Sequence, residues 1–207
     1  GSVRFLLDAL PRHAVNGFAA LTPQQAEELL DTVFPPDLLL VTHCHPDHYS
    51  DTFTAMAADR FPEMEVIRPW KELSGTRLLR ETYSVQWFPL RHAHQESAPQ
   101  VQNYGYLIEA EGRRIFCPGD ADPRFPEVFA LVDGLRPDVA ILNFPWVTLS
   151  SARKALNAMA PRCTVLTHLP PANNDPLGFH RAVEHAIQGL PNTVVLDRFA
   201  QTVTFDV

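Results

Sequence analysis

Long apolar runs are the first thing this 207-residue chain lacks. None approaches the roughly 20 consecutive apolar residues a membrane-spanning helix needs, so nothing in the sequence points to such a span. Basic charge is scarce as well. With 17 Lys and Arg against 24 Asp and Glu, the formal net charge is -7. Phosphate backbones are held by clustered cations, so broad capture of nucleic acid is not expected. The nearest thing to a basic mouth is Arg77, Arg80 and Arg91, which read more simply as solvated faces. Cysteine is the third scarcity. Cys44, Cys117 and Cys163 are odd in number and irregular in spacing, which argues against a disulfide framework and fits a reducing, cytoplasmic compartment. Low-complexity or charge-rich tails are absent. The chain opens on Gly1-Ser2 without a methionine, a start that reads as trimmed, so the lack of a signal segment carries little weight.

What is present is ample material for a core. At 45% hydrophobic content the chain is long enough to bury one substantial interior, and residues 1–207 are most simply a single domain. Strand and helix patterns alternate along it, which by period alone gives an α/β protein. Val3–Leu7 reads as a buried strand ending at Asp8. Thr22-Pro23-Gln24-Gln25 reads as a helix start, with a hydroxyl cap, proline at the first helical position and a capping-box glutamine. Its apolar face is Ala26, Leu29, Leu30 and Val33, and Pro35-Pro36 stops it. Ser50 or Asp51 caps a helix reaching about Arg60, whose Phe53, Met56 and Ala57 face the core. Met64–Arg68 is a short strand, and residues 69–80 show no clear period. Asn103–Glu109 and Arg113–Cys117 flank a glycine-bearing turn as a β-hairpin. Further on lie a helix over Phe125–Val132, a strand over Asp138–Leu142 and a helix from about Ser150 to Ala160. A last helix is capped by Asp175 with Pro176 at its first position, and residues 192–197 and 201–205 read as closing strands.

One stretch stands apart. Thr42-His43-Cys44-His45-Pro46-Asp47-His48 packs three imidazoles and a carboxylate into six residues behind the apolar run Leu38–Val41. On an extended chain His43, His45 and Asp47 share one side while His48 points elsewhere. In a helix, residues two apart lie roughly 200° apart, and Pro46 forbids a helix interior here. This is a donor set for metal. Cys44, of opposite parity to the histidines beside it, points away and is expected to be a small packing residue.

His43-x-His45-x-Asp47-His48 after an apolar strand resembles the HxHxDH signature of the metallo-β-lactamase fold superfamily. The resemblance implies a four-layer αββα sandwich of two mixed β-sheets with helices outside. Relatives usually carry further N-terminal strands, for which this chain has few residues. It also implies three later ligands at strand ends. A histidine follows Phe88-Pro89-Leu90-Arg91, so His92 takes that role. His94, two residues on and on the same face of an extended chain, competes with it, and is otherwise left for substrate contact or proton transfer. Gly119-Asp120 matches the pair that supplies a metal-bridging aspartate, and His168 ends the apolar strand from Cys163. Asp8 would support the HxHxDH loop, and Asp122 reads as a turn residue. His180 and His185 fall on poorly matched helix faces and read as packing or surface groups.

The implied cofactors are two divalent ions, zinc first, with manganese or iron also accepting such ligands. His43, His45 and His92 would take one, Asp47, His48 and His168 the other, with Asp120 between them. Counting about +4 for the ions against two carboxylates and a hydroxide leaves roughly +1, which favours an anion. The expected function is hydrolysis of a small, anionic ester, lactone or phosphate ester, somewhat like the ascorbate-phosphate lactonase branch. Asp47 would accept a proton, and His94, Tyr49 or water would protonate the leaving group. A phosphodiesterase or nuclease, a mononuclear-iron dioxygenase and a non-catalytic metal-stabilised module are the alternatives. The expected partner is a small molecule, with neither nucleic acid nor membrane involved. Trp70, Trp87 and Trp146 are candidates for a pocket wall, with core packing the simpler fate of each.

Overall fold

The computed structural model describes residues 3–13, 18, 20–68, 74–80, 83–93, 101–198 and 201–204. His94, Trp70 and the Asn16-Gly17 loop lie outside them. Three short strands, β1 (Phe5–Leu7), β2 (Leu38–Leu40) and β3 (Glu65–Ile67), form one sheet in the order β1-β2-β3. Its strands are all parallel, Phe5 opposite Leu38 and Leu38 opposite Glu65. This departs from two mixed sheets, because helices α1 (Pro23–Thr32) and α2 (Asp51–Arg60) supply the crossovers that parallel strands require.

The second sheet is mixed. It contains β4 (Gly75–Arg80), β5 (Tyr83–Leu90), β6 (Asn103–Ala110), β7 (Arg113–Cys117), β8 (Val139–Asn143), β9 (Cys163–Thr167) and β10 (Thr193–Val195). The order is β10-β9-β8-β7-β6-β5-β4. Pairing is antiparallel from β4 to β7 and parallel from β7 to β10. The remaining helices are α3 (Pro126–Val132), α4 (Pro145–Thr148), α5 (Ser150–Met159) and α6 (Phe179–Ile187). No described helix is long and apolar enough to cross a membrane.

Side-chain alternation explains the layering. Leu38 and Leu40 point between the sheets and pack with Ile67 against Val85, Trp87, Tyr104, Tyr106 and Ile108. Leu39 and Val41 point the other way, onto Ala26 and Leu30 of α1 and Phe53 and Ala57 of α2. Across the molecule, Phe116, Ala140, Leu142 and Leu166 meet Val128, Trp146, Leu156 and Val183 from the helices on the far face. The result is the four-layer αββα sandwich. Tyr106 ties the sheets by donating its hydroxyl to Val41 O at 2.6 Å. Trp87 and Trp146 are both core residues.

Local chemistry sets the element ends. Thr22 Oγ1 accepts from Gln25 N at 3.2 Å while Gln25 Oε1 accepts from Thr22 N at 2.9 Å, the reciprocal cap expected of that sequence. Ser50, rather than Asp51, caps α2 by accepting from Phe53 N. Four expectations are corrected. β1 is only half-buried, as an edge strand leaves one side open. Gly75–Arg80 is a strand, whose exposed Thr76, Arg77 and Leu78 show why no apolar alternation marks this sheet edge. Asp175 does accept from Phe179 N and His180 N, yet α6 begins only at Phe179, so Pro176 precedes the helix. Residues 201–204 form no strand. Instead the Gln201 side chain donates to Val195 O and accepts from Asp197 N.

Candidate metal centre

The directions of the strands decide where chemistry can gather. β1, β2, β5, β7, β8 and β9 all release the chain at one end of the sandwich, which is where Asp8, the HxHxDH loop, His92, Asp120, Asn143 and His168 lie. After β2 the chain stays tied to both sheets through Thr42, by Val41 N to Ile67 O and Tyr104 N to Thr42 O. A turn then begins, with His48 N and Tyr49 N both donating to His45 O at 2.9 Å. His43 and His45 share a face, their Nε2 and Nδ1 3.0 Å apart. Asp47 does not join them as extended alternation implied, because the Pro46–His48 turn carries it to the side of His48 and His168. Cys44 does point away from the histidines, but into solvent rather than into packing.

Donor atoms converge in three overlapping groups, each within 4.8 Å: His43, His45 and His92; Asp47, His48 and His168; and His43, His48 and Asp120. Asp120 Oδ2 stands 3.6 Å from His168 Nε2, 3.7 Å from His48 Nε2 and 3.8 Å from His92 Nε2. It thus faces imidazoles of both main groups. Within the second group the separations are 3.0 Å (His48 to His168), 3.6 Å (His168 to Asp47) and 4.0 Å (His48 to Asp47). Nitrogen and oxygen ligands about 2.0–2.1 Å from a tetrahedral ion would lie about 3.3 Å apart, so the spacing fits a metal. Asp47 Oδ1 is buried with no hydrogen-bond partner among the described residues, as suits a carboxylate built for another occupant.

Supporting groups fix the direction of each donor. Asp8 accepts from Thr42 N at 2.8 Å, Thr42 Oγ1 at 2.6 Å and His48 Nδ1 at 2.9 Å. The neutral His48 ring therefore keeps its proton on Nδ1, so that Nε2 is the nitrogen left for a metal. Thr42 has spent its only hydroxyl proton on Asp8. Hence His43 Nδ1, 3.0 Å away, is the donor to Thr42 Oγ1, and His43 too presents Nε2 as a lone pair. His92 Nδ1 donates to Ala93 O with the same outcome. Asn143 Nδ2 donates to Asp120 Oδ1 at 3.2 Å, turning Oδ2 toward the imidazoles, and Asp120 N donates to Asn103 Oδ1 at 2.9 Å. The His92 and Asp120 segments are joined by Ala93 N to Asp120 O and Asp122 N to Arg91 O. Gly119 is required here. Its φ is +57°, and a Cβ would lie 2.4 Å from Asn103 Oδ1 and 2.7 Å from Thr42 Cβ.

The family model described as the Beta-lactamase superfamily domain matches residues 3–169 of this chain. The chain belongs to the metallo-β-lactamase superfamily. It is similar to a UPF0173 metal-dependent hydrolase of Archaeoglobus fulgidus, 24% identical, with 100% of this chain and 94% of that protein covered. Among solved structures it is similar to a Parabacteroides distasonis protein provisionally named a metal-dependent hydrolase. There the TM-score is 0.56 at 16% identity, covering 81% of this chain and 79% of that one. A variant of the CmlA β-hydroxylase of Streptomyces venezuelae gives a TM-score of 0.57 at 16% identity, covering 93% of this chain but 48% of that one. At such identities the structural likenesses speak for the fold.

In this metallo-β-lactamase centre electrostatics separate the donors. Burial, followed by the crowding of His48, His92, His45 and His168, holds His43 well below the usual histidine value. Burial and His92 lower His45. His48 goes the other way. Burial lowers it, but the hydrogen bond to Asp8 and the charges of Asp8, Asp120 and Asp47 outweigh that and raise it to about 9. Burial pushes Asp47 and Asp120 up, yet both end below the ordinary carboxylate value. A hydrogen bond from His168 dominates the downward causes for Asp47, and the adjacent His168, His48 and His92 do so for Asp120. The carboxylates are thus ionised and His43 and His45 neutral at pH 7, a concentration of lone pairs and negative charge suited to cations.

Other sequence candidates fall elsewhere. Tyr49 donates to Asp51 and accepts from Arg68, and burial together with Asp51 pushes its hydroxyl up to about 12, so it is no ready proton source. Asp122 is a turn residue gripping Arg124. His180 Nε2 donates to Pro170 O, a packing role in the segment after His168. Cys117 is buried and its thiol pushed up, which keeps it protonated and unlike a ligand. Sequence reasoning missed Asn103, Asn143 and Phe18, whose ring lies 4.3 Å from that of His168. Asn143 carried a usable signal, since it ends an apolar strand as the donors do. A cavity of about 260 Å³ opens beside Asp47, His48, Asp120 and His168, with Phe18 and Asn143 in its wall.

Proposed function

We propose that this chain is a metal-dependent hydrolase that works with two divalent ions on a small ester, lactone or phosphate ester. His43, His45 and His92 would hold one ion, and Asp47, His48 and His168 the other. Asp120 would serve both. The observation that carries the reading is the position of Asp120 Oδ2, 3.6–3.8 Å from imidazoles of both groups. All the donors are imidazole or carboxylate, which suits zinc first and manganese or iron after it. When bound, such ions lower the pKa of a coordinated water towards about 7 and polarise an oxygen of the scissile group.

The chain's own residues have distinct tasks. Asp8, Thr42 and Ala93 O fix the histidine tautomers so that lone pairs point inward. Asn143 leaves one Asp120 oxygen for the cluster and holds the other. Asp47, ionised at neutral pH and with Oδ1 unpartnered among the described residues, is placed to accept a proton as water attacks. His94 is the candidate for substrate contact and for protonating the leaving group. In this reading residues 1–207 act as one domain on a small molecule rather than on nucleic acid, in keeping with the net charge of -7.

The test is elemental mass spectrometry on protein purified without chelator or added metal, with His168→Ala beside it. About two zinc or manganese ions per chain are expected, falling towards about one in the variant. One iron would move the reading to oxygen chemistry. Failure to bind metal after reconstitution would remove the hydrolase, as would unchanged turnover in Asp47→Ala remove its two-metal form.

A further inference from the structure

The cavity wall has a one-sided chemistry. Its charged oxygens belong to Asp8, Asp47 and Asp120, and no Lys or Arg lines it among the described residues. Several described cations are engaged elsewhere. Arg12 donates to Thr52, Arg68 to Tyr49 and Arg124 to Asp122, while Arg91 stacks on the Phe125 ring at 3.9 Å. Beside its carboxylates the wall carries the polar His48, Asn143, Thr167 and His168 and an apolar part, with Leu7, Phe18, Ile141 and Leu169 facing the same space.

A phosphate or second carboxylate on the substrate would therefore be desolvated against carboxylates with no Lys or Arg of the described wall to receive it. The main positive charge of the loaded site would be whatever the seven donors bind, which is where an oxyanion develops during reaction. An uncharged substrate acquires that negative charge only as it reacts, so the binding is spent on the transition state. The volume of about 260 Å³ lies below the range of roughly 300–1,000 Å³ for drug-sized ligands, which suits a short apolar arm.

We infer that the substrate is an uncharged carboxylic ester or lactone whose short apolar arm packs on Phe18, Ile141 and Leu169. This rests on the hydrolase reading and narrows it, excluding phosphate esters and the anionic substrate expected from charge counting. In the reaction, the oxygen of water bonds to the carbonyl carbon and the acyl C–O bond breaks. The proton given up by water is carried to the leaving alkoxide, yielding one carboxylic acid and one alcohol.

The experiment ranks three probes on the full chain loaded with zinc and, separately, manganese. These are ethyl butyrate, monoethyl succinate, which adds a distal carboxylate, and diethyl phosphate. Acid release gives kcat/KM, and NMR titration gives dissociation constants. Ethyl butyrate should exceed monoethyl succinate by about tenfold or more in kcat/KM, with diethyl phosphate lower still. Phe18→Arg should narrow the gap by improving the succinate ester. Ile141→Lys makes the same test if the first variant fails to fold. Parity between the carboxylic esters, preference for either anion, or a gap unmoved by the added cation would overturn the inference. If nothing is turned over, the hydrolase reading falls by itself, and the ranking of dissociation constants still decides the question of charge.

Discussion

The two sheets supply donors in opposite ways. The three-stranded sheet contributes His43, His45, Asp47 and His48 from one loop after β2, so their relative placement is set by six residues of local backbone and one turn at Pro46. The seven-stranded sheet contributes His92, Asp120 and His168 singly, from the ends of β5, β7 and β9, and their convergence depends on the register of the whole sheet. Local donors are crowded and need orienting, which Asp8 does through Thr42 and His48. Distant donors need tethering, which Asn103, Asn143 and the Ala93 to Asp120 bond provide. A centre of this kind fails differently according to which sheet is damaged.

Asp120→Ala gives the largest break. It removes from the large sheet the one carboxylate that faces both groups, while leaving all four local donors in place. Metal content should fall below about one ion per chain and turnover by about a thousandfold or more. Elemental analysis and kinetics on the same preparation read both. If two ions remain, the local loop holds the metals unaided and the large sheet is only a lid.

The same contrast governs what the sequence discloses. The local loop is legible from spacing alone, since few roles other than metal binding need four donors in six residues. His92, Asp120 and His168 are ordinary residues at strand ends, and only the family resemblance singles them out. Asn103 escapes both routes, and Asn143 is marked only by its place at the end of an apolar strand. They hold Asp120 by geometry that depends on the pairing of β6, β7 and β8, and a lone asparagine carries no period. Layering was readable in Leu38–Val41, where burial on both faces leaves a continuous apolar run. The edge strand Gly75–Arg80 was not, because solvent on its exposed face relaxes the pattern.

A smaller effect separates two histidines of the local loop in metal-free protein. His43 is depressed by burial, so the unfolded chain binds its proton more readily. Its contribution to stability is full above about 6.5, the unfolded value, and lost as pH falls below it. His48 is raised to about 9 despite burial. Its contribution is full below about 6.5 and lost as pH rises through about 9. Urea unfolding of chelator-treated protein should therefore show greatest stability from this pair near pH 6.5, falling on both sides. Metal binding must displace the His48 proton, so metal affinity should rise with pH up to about 9, with proton release visible by calorimetry in buffers of different ionisation enthalpy. An affinity independent of pH between 6.5 and 9 would mean that His48 is already neutral without metal, and that Asp8 orients it without charging it.

Cys44 gives the smallest effect and the sharpest control. It sits between His43 and His45, inside the densest run of donors, yet its thiol faces solvent because alternation turns it opposite to them. Cys44→Ser should leave metal content and turnover unchanged and shift stability by no more than about 0.5 kcal/mol, as for other exposed substitutions. Metal titration against wild type measures this directly. Loss of an ion in this variant would mean that the loop rotates on metal loading to present sulfur. The placement of His43 and His45 on one face, on which the division of donors between the two groups depends, would then describe the metal-free loop only.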